Sequence, residues 1–128
     1  MDNFHNLKFK SLIDLIKQFP TEEDCIIHLE KLRWSDHIYS PFISYGTATF
    51  NLSDSHTFLC VGTRKQFTVR TNTMFEGKIP LLKWFVAVYM YRTRKKITAD
   101  ELKYICGTTT KQSELIIKRL NKALKPKK

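Results

Sequence analysis

The chain is 128 residues long with a mass of 15.1 kDa, the size of one ordinary domain, which argues against a two-domain enzyme. Hydrophobic residues make up 42% of it, with only four glycines and four prolines, a composition that is typical of a globular protein and excludes a disordered or fibrous one. Twenty-two Lys and Arg against twelve Asp and Glu give a formal net charge of +10. This charge favours polyanionic partners, nucleic acid before an anionic membrane surface.

The basic charge is concentrated towards the C-terminus. Residues 1–36 carry a net charge of −2 and residues 37–77 one of +1, whereas residues 78–128 hold fourteen Lys and Arg against three Asp and Glu, a net charge of +11. A localised excess of this kind is the electrostatic footprint of polyanion binding. The alternative is a solvated helical face followed by a disordered basic tail.

Cysteine use and hydropathy favour an intracellular protein. Cys25, Cys60 and Cys106 are odd in number and widely spaced, which does not indicate a disulfide framework. No stretch approaches the roughly 18 to 20 apolar residues of a membrane span, and the first ten residues lack the apolar core of a signal peptide. We therefore expect no membrane partner.

Two helices are predicted at the N-terminal end. Apolar residues recur at helical spacing between Ser11 and Phe19, and a proline then ends the run. Thr21, followed by three acidic residues, is a typical helix start, and this second helix is predicted to reach about Arg33. Trp34 is expected to pack against the pair.

Residues 35–77 change to short β-branched and aromatic stretches that are separated by turn residues, a pattern typical of strands. We predict a small antiparallel sheet from four candidate strands: Ile38–Ile43, Thr47–Leu52, Thr57–Val61 and Gln66–Thr71. Hairpin turns are expected at Ser53–Ser55 and around Gly62. A sheet this small needs neighbouring elements to be stable.

An apolar helix is predicted to begin after Pro80 and to be deeply buried, because its apolar residues cover a wide stripe: Leu81, Leu82, Trp84, Phe85, Val88, Tyr89 and Tyr91. Four cations close this helix: Arg92, Arg94, Lys95 and Lys96. They suit a helix C-terminus and also suit phosphate contacts. The tyrosines beside them leave single-stranded nucleic acid as a minor alternative ligand.

Thr98 and Glu101 form a predicted capping box, which starts a helix at Ala99. The helix is expected to end at Gly107, which can take the left-handed conformation of a tight turn. Its inward residues are predicted to be Leu102, Ile105 and Cys106.

Thr109 and Gln112 repeat the capping spacing and open a last helix, which runs from Thr110 to about Ala123. Its inner side is predicted to hold Ile116, Ile117, Leu120 and Leu124, and its outer side Lys111, Lys118 and Lys122.

The last two helices and their glycine-containing turn have the layout of a helix-turn-helix, in which the second helix enters the DNA major groove. The predicted base-reading residues are Thr110, Lys111 and Gln112, because Lys and Gln hydrogen-bond base edges and Thr can contact a thymine methyl group. The predicted phosphate-binding residues are Arg94, Lys95, Lys96, Lys118, Arg119 and Lys122. The alternative is a helical hairpin that docks a protein partner.

Several segments also resemble, in order and spacing, the N-terminal region of the IS1595-type (ISXO2-like) transposases. These segments are Phe19–Cys25, Leu29–Trp34, Arg64–Val69, Thr73–Phe75, Ile79–Leu81 and Lys83–Phe85, and Ile97–Leu120 is similar to the family's helix-turn-helix. The resemblance covers roughly residues 15–121. It implies a zinc ribbon followed by a DNA-binding unit.

The chain departs from this family at the zinc ligands. The family's first Cys pair aligns with Ser40 and Ile43, and its second pair aligns with Cys60 and Thr63. One thiol cannot hold a structural zinc, which takes four Cys or His ligands, so we expect no metal. Apolar packing is expected to replace it, through Phe42, Ile43, Phe50, Phe58 and Phe67.

A second departure concerns catalysis. In the family, an RNase H-like domain with metal-binding carboxylates follows the helix-turn-helix, whereas this sequence ends at Lys128. Two-metal phosphoryl chemistry needs converging carboxylates, and the acidic residues here cluster on the first two helices and at helix caps. We therefore expect no enzymatic activity and no cofactor.

Together these patterns predict an α+β fold with two N-terminal helices, a small antiparallel zinc-free ribbon-like sheet and a C-terminal three-helix helix-turn-helix. Residues 1–77 would form the helices and sheet and residues 78–128 the basic unit, packed together as one compact body. The expected function is non-catalytic binding of double-stranded DNA, as a regulator or as an accessory or recruitment factor, in the nucleoid or the nucleus according to the host. The alternative is a protein-interaction module, and a protein partner or a second copy of the chain is the other expected partner.

Overall fold

The computed structural model describes residues 8–34, 38–42, 49–51, 56–93 and 97–124. Within these ranges the chain forms five helices and three strands: α1 (Leu12–Gln18), α2 (Glu22–Arg33), β1 (Thr49–Asn51), β2 (Phe58–Cys60), β3 (Lys65–Phe67), α3 (Leu81–Thr93), α4 (Ala99–Cys106) and α5 (Thr110–Leu124). The predicted α+β class, with helices on either side of a small antiparallel sheet in the sequence, is confirmed.

Local side-chain caps explain where the first two helices begin. The Ser11 hydroxyl accepts a hydrogen bond from the Asp14 amide at 3.0 Å and starts α1. Thr21 and Asp24 form a complete capping box at the start of α2, with backbone-to-side-chain distances of 3.1 and 3.2 Å. Each cap satisfies amides that the first helical turn leaves without a partner. Both predicted helices are confirmed.

The three strands pair antiparallel in the order β1-β2-β3, with Phe50 opposite Leu59 and Leu59 opposite Gln66. The predicted turn around Gly62 is confirmed, and the Arg64 amide closes it by donating to the Cys60 carbonyl at 2.7 Å. The predicted turn at Ser53–Ser55 lies outside the described residues.

Two strand predictions were wrong: one predicted strand does not form in the described residues, and another ends earlier than predicted. Residues 38–42 form no strand, because the Phe42 amide donates to the Ser40 hydroxyl at 3.0 Å instead of to a neighbouring strand. The strand predicted for residues 66–71 ends at Phe67, since the amide of Thr68 donates to the hydroxyl of Thr71 at 2.9 Å. In both places a hydroxyl competes with the sheet for backbone hydrogen bonds. Ile43 lies outside the described residues.

Aromatic side chains join the sheet to α2. Trp34 is only 6% exposed, and its ring lies edge-on to Phe58 at 5.5 Å and to Phe67 at 6.0 Å between ring centroids. Phe58 and Phe67 stack on each other at 5.6 Å, and Phe42 meets Phe67 at 6.2 Å. Trp34 is buried, as predicted, but these ring contacts are with the sheet and not with the pair of N-terminal helices that it was expected to cover. The side chains of Ile43 and Phe50 lie outside the described part of the structure.

Helix α3 is the central element, as its apolar sequence predicts. Trp84 and Phe85 are fully buried, and α3 contacts α1, α2, α4 and α5. Phe75 packs edge-on against Trp84 at 5.5 Å, and Phe19 packs edge-on against Phe85 at 5.2 Å. Buried residues from Leu15 to Leu120 form one continuous cluster, so the two halves of the sequence share a core.

Residues 68–79, which we call the connecting segment, join β3 to α3 without helix or strand. Arginine side chains supply hydrogen-bond donors to its carbonyl groups, which lack partners in a regular ladder. Arg33 donates to Val69 and Thr71, Arg70 donates to Phe75 and Ile79, and Arg119 donates to Met74 and Glu76. Because these arginines come from α2, the segment itself and α5, they hold the two halves of the chain together.

Acid should destabilise the fold through His28. This ring lies 4.9 Å from Phe19, and burial, assisted by Lys31, lowers the pKa of His28 below its ordinary value of 6.5. Because the folded-state pKa is lowered, the unfolded chain binds the proton more tightly than the folded chain does. The contribution of His28 to the free energy of unfolding is therefore fully present above about pH 6.5 and is lost as the pH falls through the folded-state pKa. We expect His28→Gln to flatten the decline in unfolding free energy between about pH 7 and pH 5, measured by urea denaturation. Parallel pH profiles for the two proteins would contradict this role.

Candidate nucleic-acid interface

Helix α4 begins at the predicted capping box. The Thr98 amide donates to the Glu101 carboxylate at 3.1 Å, and the Glu101 amide donates to the Thr98 hydroxyl at 3.2 Å. Leu102 is fully buried, as predicted. The prediction that Ile105 points inward was wrong. This side chain is 38% exposed, because its helical position lies about 90° from the direction in which Ala99, Leu102 and Cys106 point on average.

The turn after α4 is fixed by Gly107 and by two hydroxyls. Gly107 takes the predicted left-handed conformation, with φ of 69° and ψ of 25°, and its amide donates to the Lys103 carbonyl at 3.0 Å. The Ser113 hydroxyl donates to the Thr109 carbonyl at 2.9 Å. The nearby Thr108 hydroxyl, 2.6 Å from the Ser113 hydroxyl, is therefore the donor of that pair. These buried contacts set the angle at which α5 leaves the turn.

Replacing Gly107 tests this turn. A Cβ atom placed there would meet no atom within 4 Å, so the cost of Gly107→Ala is the strain of a left-handed conformation alone. We expect Gly107→Ala to lower the free energy of unfolding by about 1 to 2 kcal/mol. Gly107→Asn should lower it less, because asparagine tolerates this conformation better. Equal losses in urea denaturation would show that strain is not the cause.

Helix α5 begins with the second predicted capping box. The Thr109 amide donates to the Gln112 side-chain carbonyl and the Gln112 amide donates to the Thr109 hydroxyl, both at 3.1 Å. Ile116 and Leu120 are fully buried, as predicted, and α5 packs on both α3 and α4. Three helices thus form the predicted unit. The Tyr91 hydroxyl lies 3.0 Å from Asn121 on α5, so this ring joins α3 to α5 and does not form a free stacking platform.

The outer face of α5 consists of Lys111, Glu114, Leu115, Lys118 and Lys122, and all five side chains are exposed. Four of them, the three lysines and the leucine, are separated by four, three and four residues, which places them in one row along the helix. The buried side of α5 points in the opposite direction, towards α3 and α4. This outer face therefore presents a row of cations that a polyanion can reach.

The sequence-predicted base-reading residues are not equivalent in the structure. Thr110 and Lys111 are exposed in the first turn of α5, and Lys111 belongs to the outer face. Gln112 is half-buried and its carbonyl oxygen caps the helix, so it points away from that face. Among the predicted phosphate-binding residues, Lys118 and Lys122 are exposed on the outer face. Arg94, Lys95 and Lys96 lie outside the described residues.

Arg119, also predicted to bind phosphate, is engaged in the fold. Its guanidinium donates to the carbonyls of Met74 at 3.1 Å and Glu76 at 2.5 Å, and it lies 5.9 Å from the centre of the Trp84 ring. These contacts fasten α5 to the connecting segment. Arg119 therefore positions the helix on the connecting segment.

Glu114 and Leu115 are two outer-face residues that the sequence prediction missed. The prediction named consecutive residues at the start of α5, whereas a helix presents residues that are three, four and seven positions apart on one side. Applying that spacing to Lys111 reaches Glu114, Leu115 and Lys118 directly. Carboxylates accept hydrogen bonds from cytosine and apolar side chains contact thymine methyl groups, so both residue types can distinguish bases.

Three positions that the transposase resemblance assigns to zinc ligands lie together in the structure. Hydrogen bonds from the hydroxyls of Ser40 and Thr63, then from the backbone amides of Thr63 and Gly62, lower the pKa of the Cys60 thiol, against the opposing effect of its burial. One thiol and two hydroxyls do not fit structural zinc, which takes thiolate, imidazole or carboxylate ligands. In the described ranges, no three His, Cys, Asp or Glu side chains form a group that could hold a metal ion.

Comparison of the chain with models of known protein families, with curated proteins and with solved structures finds no match. Across the residues that the structure describes, none of the helices has the length and apolar character to cross a membrane.

Proposed function

We propose that this chain is a non-catalytic DNA-binding protein that resembles a transposase DNA-binding region. It binds duplex DNA through α4 and α5 and serves as a regulator or as an accessory or recruitment factor of a mobile element. The observation that carries the proposal is the outer face of α5, where Lys111, Lys118 and Lys122 form one exposed row directly after the hydrogen-bonded turn at Gly107.

Geometry and charge support the proposal together. A recognition helix must project its exposed side while its buried side is held, and here Ile116 and Leu120 anchor α5 to the core. The lysines on the other side can neutralise phosphates and release counterions, which supplies most of the affinity for any DNA sequence. The +11 charge of residues 78–128 adds attraction at longer range.

The non-catalytic part of the proposal rests on the use of the acidic residues at the start of α2. One Glu22 oxygen accepts from the Leu81 amide at 2.9 Å, while its other oxygen lies 3.5 Å from Arg70. The Asp24 carboxylate caps its own helix through Thr21. These acids hold helix ends and do not converge as a pair of metal ligands would.

The convergence of Ser40, Cys60 and Thr63 supports the resemblance to a zinc-ribbon region that has lost its ligands. Hydroxyls at two of the positions keep hydrogen bonds to the remaining thiol, and the aromatic cluster of Trp34, Phe58 and Phe67 joins the same small sheet to α2. Packing of this kind can stabilise a sheet that is too small to stand alone.

A protein-interaction module is the second candidate, and the exposed face of α1 favours it. Ile13 is 67% exposed and Ile16 is 50% exposed, one helical turn apart. Exposed apolar groups that are adjacent on a helix are typical of surfaces that bind other proteins. This candidate predicts no DNA affinity beyond that of any cationic protein.

Fluorescence anisotropy with labelled duplexes distinguishes the two candidates. The protein would be titrated against random duplexes and duplexes from mobile-element ends at about 50 and about 200 mM salt. DNA binding predicts an affinity that falls steeply with salt and that differs among the duplexes. Equal affinity for all duplexes, or no binding at the lower salt, would contradict the proposal and favour the interaction module.

A further inference from the structure

Leu115 is an apolar side chain in the middle of a basic surface. It is 37% exposed and lies four residues after Lys111 and three before Lys118, so the two cations flank it along the helix. An exposed leucine at this position does not increase the solubility of the protein. Its neighbours on the same face carry the charges that attract a polyanion, so the ligand that reaches those lysines must also cover Leu115.

Glu114 limits how that ligand can lie. A carboxylate directly beneath a phosphate would be repelled, so the Glu114 side of the outer face cannot follow the DNA backbone. The arrangement suits a helix whose lysines reach the phosphates on either side of a groove while its centre faces the base pairs. Leu115, between Lys111 and Lys118 along the helix, occupies that centre, and Glu114 lies beside it.

We infer that Leu115 is a specificity-determining residue that contacts the 5-methyl group of a thymine in the major groove. The inference rests on the proposed DNA binding and adds to it the chemical feature that is recognised. Among the base edges of the major groove, the thymine methyl is the apolar feature, and an exposed aliphatic side chain is its complement. The preferred duplex therefore carries a thymine beneath the first two turns of α5.

The test uses uracil, which differs from thymine only by the missing methyl group. A preferred duplex would first be selected from a random pool with the wild-type protein, and each thymine in it would then be replaced singly by uracil. One replacement should weaken wild-type binding about fourfold, the effect of removing one buried methyl group. The Leu115→Ala protein should bind the thymine and uracil duplexes equally.

Three further variants keep the test decisive. Ile105→Ala removes a side chain of nearly equal exposure, 38% on α4, and should keep the full preference for thymine. Thr110→Ser removes the methyl group of the residue that the sequence analysis predicted to contact a thymine methyl group. Loss of the preference in Thr110→Ser but not in Leu115→Ala would overturn the inference. Leu115→Gln, which keeps the helix but not the apolar surface, guards against a folding defect in the alanine variant.

Failure of the inference is distinguishable from failure of the proposed function. If the wild-type protein selects a duplex but tolerates uracil at every position, DNA binding stands and the role of Leu115 is wrong. If the wild-type protein binds no duplex at about 50 mM salt, the proposed function itself fails.

Discussion

Replacing Arg70 by methionine should lower the free energy of unfolding by about 3 kcal/mol, because two backbone carbonyls lose a charged hydrogen-bond donor. Its guanidinium donates to the Phe75 carbonyl at 2.6 Å and to the Ile79 carbonyl at 2.5 Å, and it lies 3.5 Å from the Glu22 carboxylate. The methionine keeps the aliphatic length, so the loss measures the polar contacts and not the packing.

The effect should reach beyond the connecting segment, because Glu22 also accepts from the Leu81 amide at the first residue of α3. Without Arg70 this carboxylate keeps its negative charge in a half-exposed position and loses its cation. The start of α3 is thereby weakened at the point where α2, the connecting segment and the central helix meet. Burial lowers the pKa of Arg70, which is the sign of a cation held away from water.

Two controls identify the cause. Arg70→Lys restores a cation for Glu22 but not the forked geometry that serves two carbonyls, so it should recover only part of the loss. Lys78→Met removes an exposed cation from the same segment and should change stability by less than about 0.5 kcal/mol. Urea denaturation followed by tryptophan fluorescence gives all three values. An Arg70→Met protein as stable as Lys78→Met would show that the polar contacts of Arg70 contribute nothing.

Helices and the turn of the basic unit could be predicted because their signals are local. Thr98 with Glu101, and Thr109 with Gln112, lie three residues apart, and both capping boxes form with the predicted partners. Gly107 takes the predicted left-handed conformation for a reason that involves only its own missing side chain. Contacts of this kind depend only on residues a few positions apart in the sequence.

Roles that depend on distant residues could not be predicted. Arg119 was expected to bind phosphate, yet its hydrogen-bond partner Met74 lies 45 residues away in the sequence. The sequence pattern of a basic residue on a helix is the same whether its side chain binds DNA or donates to a backbone carbonyl. Only the folded structure shows which partner it has.

The strands could be predicted only in part, less well than the helix caps and better than the long-range roles. β-branched and aromatic content and the turn residues identified the central hairpin. Residues 38–42 and 68–71 do not join the sheet, because the hydroxyls of Ser40 and Thr71 accept hydrogen bonds from their backbone amides. β-branched and aromatic residues favour strands, but a nearby serine or threonine can satisfy the same amides more locally. The edges of a three-stranded sheet are therefore its least predictable part.

Neutralising the lysines of the α5 outer face should produce the largest change in DNA binding. The triple variant Lys111→Gln, Lys118→Gln, Lys122→Gln removes three exposed cations from one row while glutamine keeps the helix. Each phosphate contact contributes about 0.9 to the slope of log affinity against log salt concentration, so the slope should become shallower by about 3. The same counterion release implies an affinity loss of about 10² to 10³-fold near 0.1 M salt.

The matched control removes the same amount of charge elsewhere. Lys8, Lys10 and Lys17 are also exposed but belong to the N-terminal end of the described chain, and their replacement by glutamine lowers the net charge by the same three units. If α5 enters the groove, this control should keep nearly the wild-type salt slope, because charges far from the phosphates release no counterions. Equal losses in the two triple variants would mean that net charge alone drives binding and that α5 is not the interface. Unchanged binding in both would place the DNA contact outside the outer face, because its lysines would then carry none of the affinity.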